Sequence, residues 1–138
     1  MVRTSKLVST KKKKKKREKE PDNINKLTDA IIEGMREKKG NEIVFIDLRK
    51  LNSTIADCFI FCHCESVIHV EAITRSVEEM VYKITKELPL HKEGLSNAEW
   101  VLLDYFSVVV HIFQKEQREF YGIEKLWADA RIKRVANQ

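Results

Sequence analysis

The sequence predicts a protein of the α/β (α+β) class with a single mixed β-sheet flanked by helices. Three observations support this fold class. Apolar residues at helical spacing alternate along the chain with short runs of β-branched and aromatic residues. These segments follow one another as helix, strand, strand, helix, strand, strand, helix, without an internal repeat. With 138 residues, 43% of them hydrophobic, the chain can form one domain core but is short for two.

The first predicted element is an amphipathic helix over residues 24–38. Asp22 or Asn23 can cap its start, and Gly40 can end it. Its buried stripe consists of Ile24, Leu27, Ile31 and Met35.

Two strands and a long helix are predicted next. Residues 43–48 and 56–62 are rich in β-branched and aromatic side chains, which favour strands. Ser66 is a suitable N-cap for a helix that extends to about Leu88, where Pro89 would stop it. The apolar positions of this helix recur at helical spacing, so one of its faces should pack on the sheet.

The last third of the chain predicts a hairpin and a final helix. Residues 100–104 and 108–113 are almost continuously apolar. Such runs are typical of strands that are covered on both faces, or on one face by helix and on the other by a partner. Because only residues 105–107 separate the two runs, they should pair as an antiparallel hairpin. Residues 117–130 predict the last helix.

Basic charge is concentrated at the N-terminus. Residues 1–20 contain ten Lys and Arg against two Glu, whereas the remainder contains 16 basic and 19 acidic residues. A block of like charges this dense repels itself, so we expect a disordered Lys-rich tail at residues 1–22 and a folded domain at residues 23–138. The tail can contact RNA phosphates or serve only as a solubilising extension. The candidate RNA contacts are Lys11, Lys12, Lys13, Lys14, Lys15, Lys16 and Arg17.

Hydropathy and cysteine content indicate the compartment. No segment approaches the roughly 18 consecutive apolar residues of a membrane helix, and no apolar run of a secretory signal follows the basic N-terminus. Cys58, Cys62 and Cys64 make an odd number, which does not suit a disulfide framework. We therefore expect a cytoplasmic protein.

Cys62, His63, Cys64 and His69 raise the question of a zinc site, because thiolates and imidazoles are zinc ligands. On a strand, however, Cys62 and Cys64 share one face while His63 points to the other, and no second ligand pair completes the site. We favour buried thiols over a metal. Cys64 or Ser66 could form a nucleophilic site with His69, but a helix N-cap at Ser66 is the simpler interpretation.

The sequence lacks the residues that two further classes of enzyme require. The four glycines stand singly, so they build no phosphate-binding loop. Asp47, Asp57 and Asp104 lie in separate predicted strands and provide no metal-binding pair. We therefore predict no enzymatic activity, no cofactor and no metal.

Aromatic residues are dense in the C-terminal third of the chain. Most of them should belong to the core, yet Trp, Tyr and Arg are also the residues that anchor protein interfaces. We therefore expect the functional surface to be a flat aromatic and aliphatic face. The aromatic residues are Trp100, Tyr105, Phe106, Phe113, Phe120, Tyr121 and Trp127.

Several ordered motifs resemble the Iojap/RsfS family. Three of them match the family's tryptophan strand, its Val-Val-His turnback and its closing Tyr-Trp motif: residues 99–105, 108–113 and 118–127. Ile-Asp-Leu at 46–48 and the stretch 55–62 match further blocks in the right order. The resemblance covers about residues 24–130.

The resemblance implies a fold similar to nucleotidyltransferases but without their catalytic carboxylates. It also implies a ribosomal silencing factor that binds the large ribosomal subunit through a ribosomal protein at the intersubunit face. The bound protein would block subunit association sterically and so repress translation. A role in assembly of the large subunit and a vestigial nucleotidyltransferase-type activity are the alternatives.

Carried over position by position, the resemblance implies partner contact at five residues: Trp100, Leu102, Asp104, Arg118 and Tyr121. Trp100 and Leu102 should project to the same side of their strand. His111 is expected to form a hydrogen bond that fixes the hairpin. An apolar hairpin that is exposed in the free protein could also pair with a second copy, so a homodimer is a further expectation.

Two positions depart from the family pattern. Phe106-Ser107 stands where the family usually has a glycine-containing turn, which bears on the geometry of the hairpin. Residues 62–66 replace a Ser-Gly-Asn-Ser segment before the long helix. The Lys-rich tail lies outside the resemblance.

Overall fold

The computed structural model describes residues 21–49, 56–122, 125 and 131–135. The elements in these ranges are, in chain order, α1 (Pro21–Glu37), β1 (Asn41–Asp47), β2 (Cys58–Cys64), α2 (Val67–Thr85), β3 (His91–Glu93), β4 (Trp100–Asp104), β5 (Val108–Gln114), α3 (Lys115–Tyr121) and β6 (Arg131–Arg134). None of the helices in these ranges is long and apolar enough to cross a membrane.

The strands form one mixed sheet in the order β3-β4-β5-β2-β1-β6. β2 and β5 pair in parallel, whereas the other neighbours pair antiparallel. The almost continuous apolar sequences of β2 and β5 place them at the centre of the sheet, where both faces are covered. The predicted fold class, the single mixed sheet and the β4–β5 hairpin are thereby confirmed.

The two edge strands, β3 and β6, were not predicted from the sequence. β3 has the sequence His-Lys-Glu and β6 has the sequence Arg-Ile-Lys-Arg. Neither carries an apolar run, and charged residues are common on edge strands because they discourage pairing with other chains. Because β3 pairs with β4, the β4–β5 hairpin lies inside the sheet rather than at its edge.

α1 and α2 cover one face of the sheet and pack against each other. They approach closely at Gly34, where an added Cβ would lie 2.7 Å from the Cα atom of Val77. Ser76 Oγ donates a hydrogen bond of 2.8 Å to the carbonyl oxygen of Gly34 across this contact. The strand residues buried beneath the helices include Ile43, Cys58, Ile60, Cys62, Val101, Leu103, Val110 and Ile112.

The opposite face of the sheet carries a second buried cluster, which we call the aromatic face. Successive residues of a strand point to opposite faces, so Phe59 and Phe61 of β2 project away from the helices while Cys58 and Ile60 project toward them. The aromatic face consists of Val44, Ile46, Leu48, Ala56, Phe59, Phe61, Trp100, Leu102, Val109 and Phe113.

The termini of α1 differ in part from the prediction. The helix begins at Pro21, so Asp22 and Asn23 lie in its first turn and not at the N-cap. Proline is favourable at a first helical position because its missing N–H would have no partner there. At the other end, the N–H of Lys39 bonds to Arg36 and the N–H of Gly40 bonds to Met35. This pattern of a Schellman motif ends the helix, with Lys39 at a φ of 61°.

The other two helices are shorter than predicted. Ser66 caps α2 as predicted, but the helix ends at Thr85 because Lys86 adopts a left-handed conformation before Pro89 is reached. α3 ends at Tyr121, where Gly122 is left-handed and donates its N–H to the carbonyl of Arg118. The prediction of one continuous helix over 117–130 is therefore wrong. Residues 123–124 and 126–130, including Trp127, lie outside the described residues.

The β4–β5 turn forms although it lacks the expected glycine. Phe106 has a φ of 75°, is buried, and donates its N–H to Asp104 Oδ1 at 2.7 Å. The carbonyl of Ser107 accepts hydrogen bonds from the N–H groups of Asp57 and Cys58. These contacts hold a phenylalanine in a backbone conformation that favours glycine.

Candidate partner-binding surface

A hydrogen bond between β4 and β5 organises the aromatic face. Trp100 Nε1 donates to His111 Nδ1 at 3.0 Å, and both side chains are buried. Trp100 stands opposite Phe113, and their ring centroids are 4.9 Å apart. His111 also packs edge-on against Phe59 and Phe61 of β2. The predicted role of His111 in fixing the hairpin is confirmed.

α3 carries two exposed aromatic side chains, one of which contacts Trp100. The ring centroid of Tyr121 lies 5.4 Å from that of Trp100, and Phe120 meets Tyr121 edge-on at 4.9 Å. Phe120 is 78% exposed and Tyr121 is 36% exposed, whereas Trp100 is 5% exposed. We call Phe120 and Tyr121 the aromatic pair. The pair is accessible to a partner and is supported from behind by a buried ring.

Arg118 fixes α3 to the sheet. Its Nη1 atom donates to the carbonyl oxygen of Glu42 and to Nδ1 of His63, both at 2.9 Å. Glu42 has a φ of 48° at a register irregularity in β1. Burial, followed by the adjacent Arg118 guanidinium, lowers the pKa of His63. A neutral His63 can accept the hydrogen bond that Arg118 donates.

The predicted contact residues fall into different environments. Leu102 lies with Trp100 in the aromatic face, so their predicted common orientation is confirmed. Asp104 is buried and accepts the N–H of Phe106, and Arg118 is buried between α3 and β2. Tyr121 is the one of the five whose side chain is more than a third exposed. Contact of all five with a partner stays a prediction.

Phe120 was not among the predicted contact residues, although it is the more exposed member of the aromatic pair. Most aromatic residues of this region were expected in the core, Phe120 among them. Gly122, which ends α3 after only seven residues, was the signal that could have shown otherwise. The predicted RNA contacts Lys11–Lys16 and Arg17 lie outside the described residues.

The cysteine and histidine residues of β2 divide between the two faces, as predicted. Cys62 and Cys64 lie in the cluster beneath the helices, and burial raises the pKa of both thiols, that of Cys64 to about 11. His63 points the other way, toward Arg118. Within the described ranges, no group of three or more His, Cys, Asp or Glu side chains is placed to hold a metal ion.

Ser66 and His69 occupy structural positions. Ser66 Oγ accepts the backbone N–H of His69 at 3.2 Å, which is the predicted N-cap contact of α2. The Nε2 atom of His69 is hydrogen-bonded to the carbonyl of Lys38 at the end of α1. The hydroxyl and the imidazole therefore act on helix ends and not on each other.

A second surface feature lies at the other end of the sheet, between α1 and the strands β1 and β6. It is a groove with a volume of about 770 Å³. Its lining residues are Asn25, Thr28, Asp29, Ile32, Glu33, Arg36, Phe45, Arg49, Lys133, Arg134 and Val135.

A mixed-sheet α/β domain that carries an exposed aromatic pair on a short helix, packed against a hydrogen-bonded hairpin, has the features of a protein-binding module. The family model described as "Ribosomal silencing factor during starvation" (RsfS) matches residues 21–138. The chain belongs to this family. Its general role is accordingly ribosome silencing, a form of translation regulation.

Individual relatives agree with this assignment. The chain is 36% identical over 104 residues to "Ribosomal silencing factor RsfS" of Halalkalibacterium halodurans, covering 75% of this chain and 87% of the relative. A crystal structure of a protein from Chromobacterium violaceum is similar with a TM-score of 0.71 and 31% identity, covering 76% of this chain and 86% of that one. The names of the silencing factors designate no catalytic activity.

A more distant relative carries a different name. The chain is 26% identical over 101 residues to "Mitochondrial assembly of ribosomal large subunit protein 1" of Mus musculus. The match covers 72% of this chain and 44% of the mouse protein.

Proposed function

We propose that this protein silences ribosomes by binding the large subunit through a ribosomal protein at the intersubunit face. The bound domain would occupy the joining surface and exclude the small subunit without any chemical step. Membership of the family supplies the ribosome as target. The observation that carries the proposal is the aromatic pair, which is exposed on α3 and supported by Trp100.

The five predicted residues would have different roles at this surface. Tyr121, together with Phe120, would touch the partner directly, because aromatic side chains with rigid support are typical interface anchors. Trp100 and Leu102 would form the rigid base beneath them. Arg118 would hold α3 in place, and Asp104 would hold the hairpin turn.

We further propose that the Lys-rich tail adds contacts to ribosomal RNA through Lys11–Lys16 and Arg17. Neutralisation of phosphates by these residues would make binding fall as salt rises. The protein would act in the cytoplasm. In the absence of ribosomes, the aromatic pair is the surface through which we expect a second copy to bind, so dimerisation would compete with ribosome binding.

Co-sedimentation with separated ribosomal subunits tests the proposal. Wild-type protein should sediment with large subunits and not with small ones. A Phe120→Ala/Tyr121→Ala variant should bind more than about tenfold more weakly, because truncation of interface anchors costs at least about 1–2 kcal/mol each. A Tyr82→Ala/Ile84→Ala variant is the matched control, since both residues are 48% exposed on α2.

The possible outcomes test the proposed target and the proposed binding surface independently. Failure of the wild type to sediment with large subunits would contradict the proposed target. Wild-type binding that the aromatic-pair variant retains would place the contact elsewhere. Light scattering during subunit joining measures the functional effect. The wild type should suppress the signal of joined ribosomes, whereas the aromatic-pair variant should not.

A role in large-subunit assembly is the second candidate, and the name of the mouse relative supports it. Both functions require binding to the large subunit, so depletion of the protein in growing cells must distinguish them. Assembly predicts that large-subunit precursors accumulate in sucrose gradients. Silencing predicts mature subunits that fail to stay separate when nutrients are short.

A further inference from the structure

The short helix α3 depends on one buried side chain for its position. The helix spans Lys115–Tyr121, and its N-cap Gln114 makes no side-chain hydrogen bond. A helix this short is not stable by itself in water, so contacts with the sheet must hold it. Among its residues, which the structure describes in full, only Arg118 is buried. A change that loosens Arg118 is therefore expected to loosen the aromatic pair as well.

The contact that holds Arg118 requires an unprotonated nitrogen. Its Nη1 atom donates to Nδ1 of His63 and to the carbonyl oxygen of Glu42, both at 2.9 Å. A guanidinium has donors and no acceptor, so it can bond to His63 only while Nδ1 carries no hydrogen. A proton there would set two donors and two positive charges 2.9 Å apart, where both side chains are 7% exposed. Such a pair is repulsive because little water screens it.

The second acceptor of Arg118 lies in an irregular segment of β1. Glu42 has a φ of 48° and stands where the register with β2 shifts, between Asn41 and Val44. Strand pairing is locally disrupted at such a shift, so this carbonyl is held less firmly than one within a regular ladder. Loss of the His63 acceptor would leave Nη1 bonded to this carbonyl, which is a weaker support for α3.

Charged groups face His63 from three elements. Burial is the largest cause that lowers the pKa of His63, followed by Arg118, and Lys115 of α3 adds to the effect. Glu42 of β1 and Glu65, which follows β2, act in the opposite direction. The imidazole is therefore neutral near pH 7 and takes up a proton only in mild acid.

We infer that His63 is a positioning residue that releases α3 in mild acid. Its neutral imidazole holds Arg118 and thereby the aromatic pair, and a proton on the ring breaks this hold. The effect on partner binding rests on the proposed function, whereas the release of the helix does not. His63 belongs to the segment 62–66, which departs from the family pattern, so we expect this response in this chain and not in relatives that have Ser-Gly-Asn-Ser there.

NMR spectroscopy of the full chain tests the release of α3 without any ribosome. The amides of residues 115–121 and the ring of His63 are followed from about pH 7.5 to about pH 5.5, with the central amides of α2 as internal reference. α3 should lose its helical chemical shifts along the titration curve of His63, whereas α2 should keep them. His63→Asn supplies an acceptor that does not titrate, so α3 should stay helical throughout.

Two further variants control the interpretation. His91→Asn removes a histidine of the edge strand β3, whose ring is bonded to Glu93, and should leave the acid response of α3 unchanged. Arg118→Met removes the other partner of the contact. This variant should show the acid-like spectrum of α3 already at about pH 7.5, because the helix has lost the same hydrogen bond.

Co-sedimentation with large ribosomal subunits extends the test to the binding surface. The wild type should bind more weakly as pH falls, by up to about tenfold per pH unit for one proton, whereas His63→Asn should not share this loss. The ratio of the two affinities is measured at each pH, which cancels any effect of acid on the subunits themselves.

Two NMR results would overturn the inference: helical shifts of α3 that persist in the wild type while His63 titrates, and an equal acid response of the wild type and His63→Asn. A constant affinity ratio despite release of α3 would overturn its extension to the binding surface. Absence of large-subunit binding at neutral pH would instead contradict the proposed function, and the NMR titration would still decide whether His63 releases α3.

Discussion

Arg118 and His63 form the side-chain contact on which the position of α3 depends. A single guanidinium nitrogen donates both to His63 Nδ1 and to the carbonyl of Glu42, so the contact joins α3 to β1 and β2 at once. Protonation of His63 would place a second cation against the guanidinium and remove the acceptor. The ionisation state of one buried imidazole is therefore linked to the support of the aromatic pair.

The lowered pKa of His63 predicts that stability falls in mild acid. The unfolded chain binds a proton at this histidine below about pH 6.5, whereas the folded protein binds it only at lower pH. The stabilising contribution is therefore complete above about pH 6.5 and is lost as pH falls through the folded pKa. Lys115 also lowers this pKa, while Glu42 and Glu65 act in the opposite direction.

Urea unfolding at about pH 7.5 and about pH 5.5, on either side of the ordinary histidine pKa, measures this effect. The wild type should lose free energy of unfolding between the two pH values, with a limiting slope of about 1.4 kcal/mol per pH unit for one proton. His63→Asn can still accept the Arg118 hydrogen bond but does not titrate, so its pH dependence should be smaller. Identical pH dependence of the two proteins would contradict the prediction.

Phe106 predicts a measurable backbone strain at the β4–β5 turn. Its φ of 75° costs an L-residue about 1–2 kcal/mol, which glycine does not incur. Phe106→Ala and Phe106→Gly both remove the buried ring, but only the glycine removes the strain. Phe106→Gly should therefore be more stable than Phe106→Ala by about 1 kcal/mol in denaturant unfolding. Lower stability of the glycine variant would show that the turn imposes no strain.

At the scale of secondary-structure elements, a close contact holds the two helices together, and strand pairing on both sides holds β4 in place. α1 and α2 cross where Gly34 meets Val77 without room for a side chain, and Ser76 bonds across the contact. β4 is paired on both sides, by β3 and by β5. The helix pair and the aromatic face are thus buried on opposite sides of the same sheet, which makes the base of the aromatic pair rigid.

Gly34→Ala should destabilise the helix pair. The added Cβ would lie 2.7 Å from the Cα of Val77, and backbone atoms can yield only if the helices separate. Overpacking of this kind costs about 1–3 kcal/mol, which exceeds the gain of up to about 1 kcal/mol from better helix propensity. Thermal unfolding should show a lower midpoint for Gly34→Ala, whereas Glu37→Ala, at an exposed position of α1, should match the wild type.

At the scale of the whole molecule, charge and apolar surface are separated. The first twenty residues carry ten basic side chains, while the remainder is slightly acidic. The aromatic pair lies on α3, and the groove lies between α1 and the strands β1 and β6. The two surface features therefore lie on different elements of the fold.

The same separation predicts that the tail contributes little to folding. Removal of residues 1–20 should change the free energy of unfolding by no more than about 0.5 kcal/mol, because surface charges away from a packed core have small effects. Denaturant unfolding of the shortened and full-length chains measures the difference. A large loss of stability would mean that the tail packs against the domain.

The order and type of the central elements were determined by the sequence alone. Apolar periodicity predicted α1 and α2, and β-branched and aromatic runs predicted β1, β2, β4 and β5, because burial of these segments follows from local side-chain pattern. Ordered motifs also predicted the family, and single residues such as Ser66 and His111 were assigned their structural roles.

The tertiary structure determined which edge strands form, where the helices end and which side chains are exposed. β3 and β6 are too polar to be recognised by pattern and form because a neighbouring strand offers them hydrogen bonds. Trp100, Leu102 and Asp104 were predicted to contact a partner, but their side chains are buried. Phe120 and Tyr121 are exposed. The exposure of a side chain depends on which distant residues pack against it, and the local sequence pattern does not specify those residues.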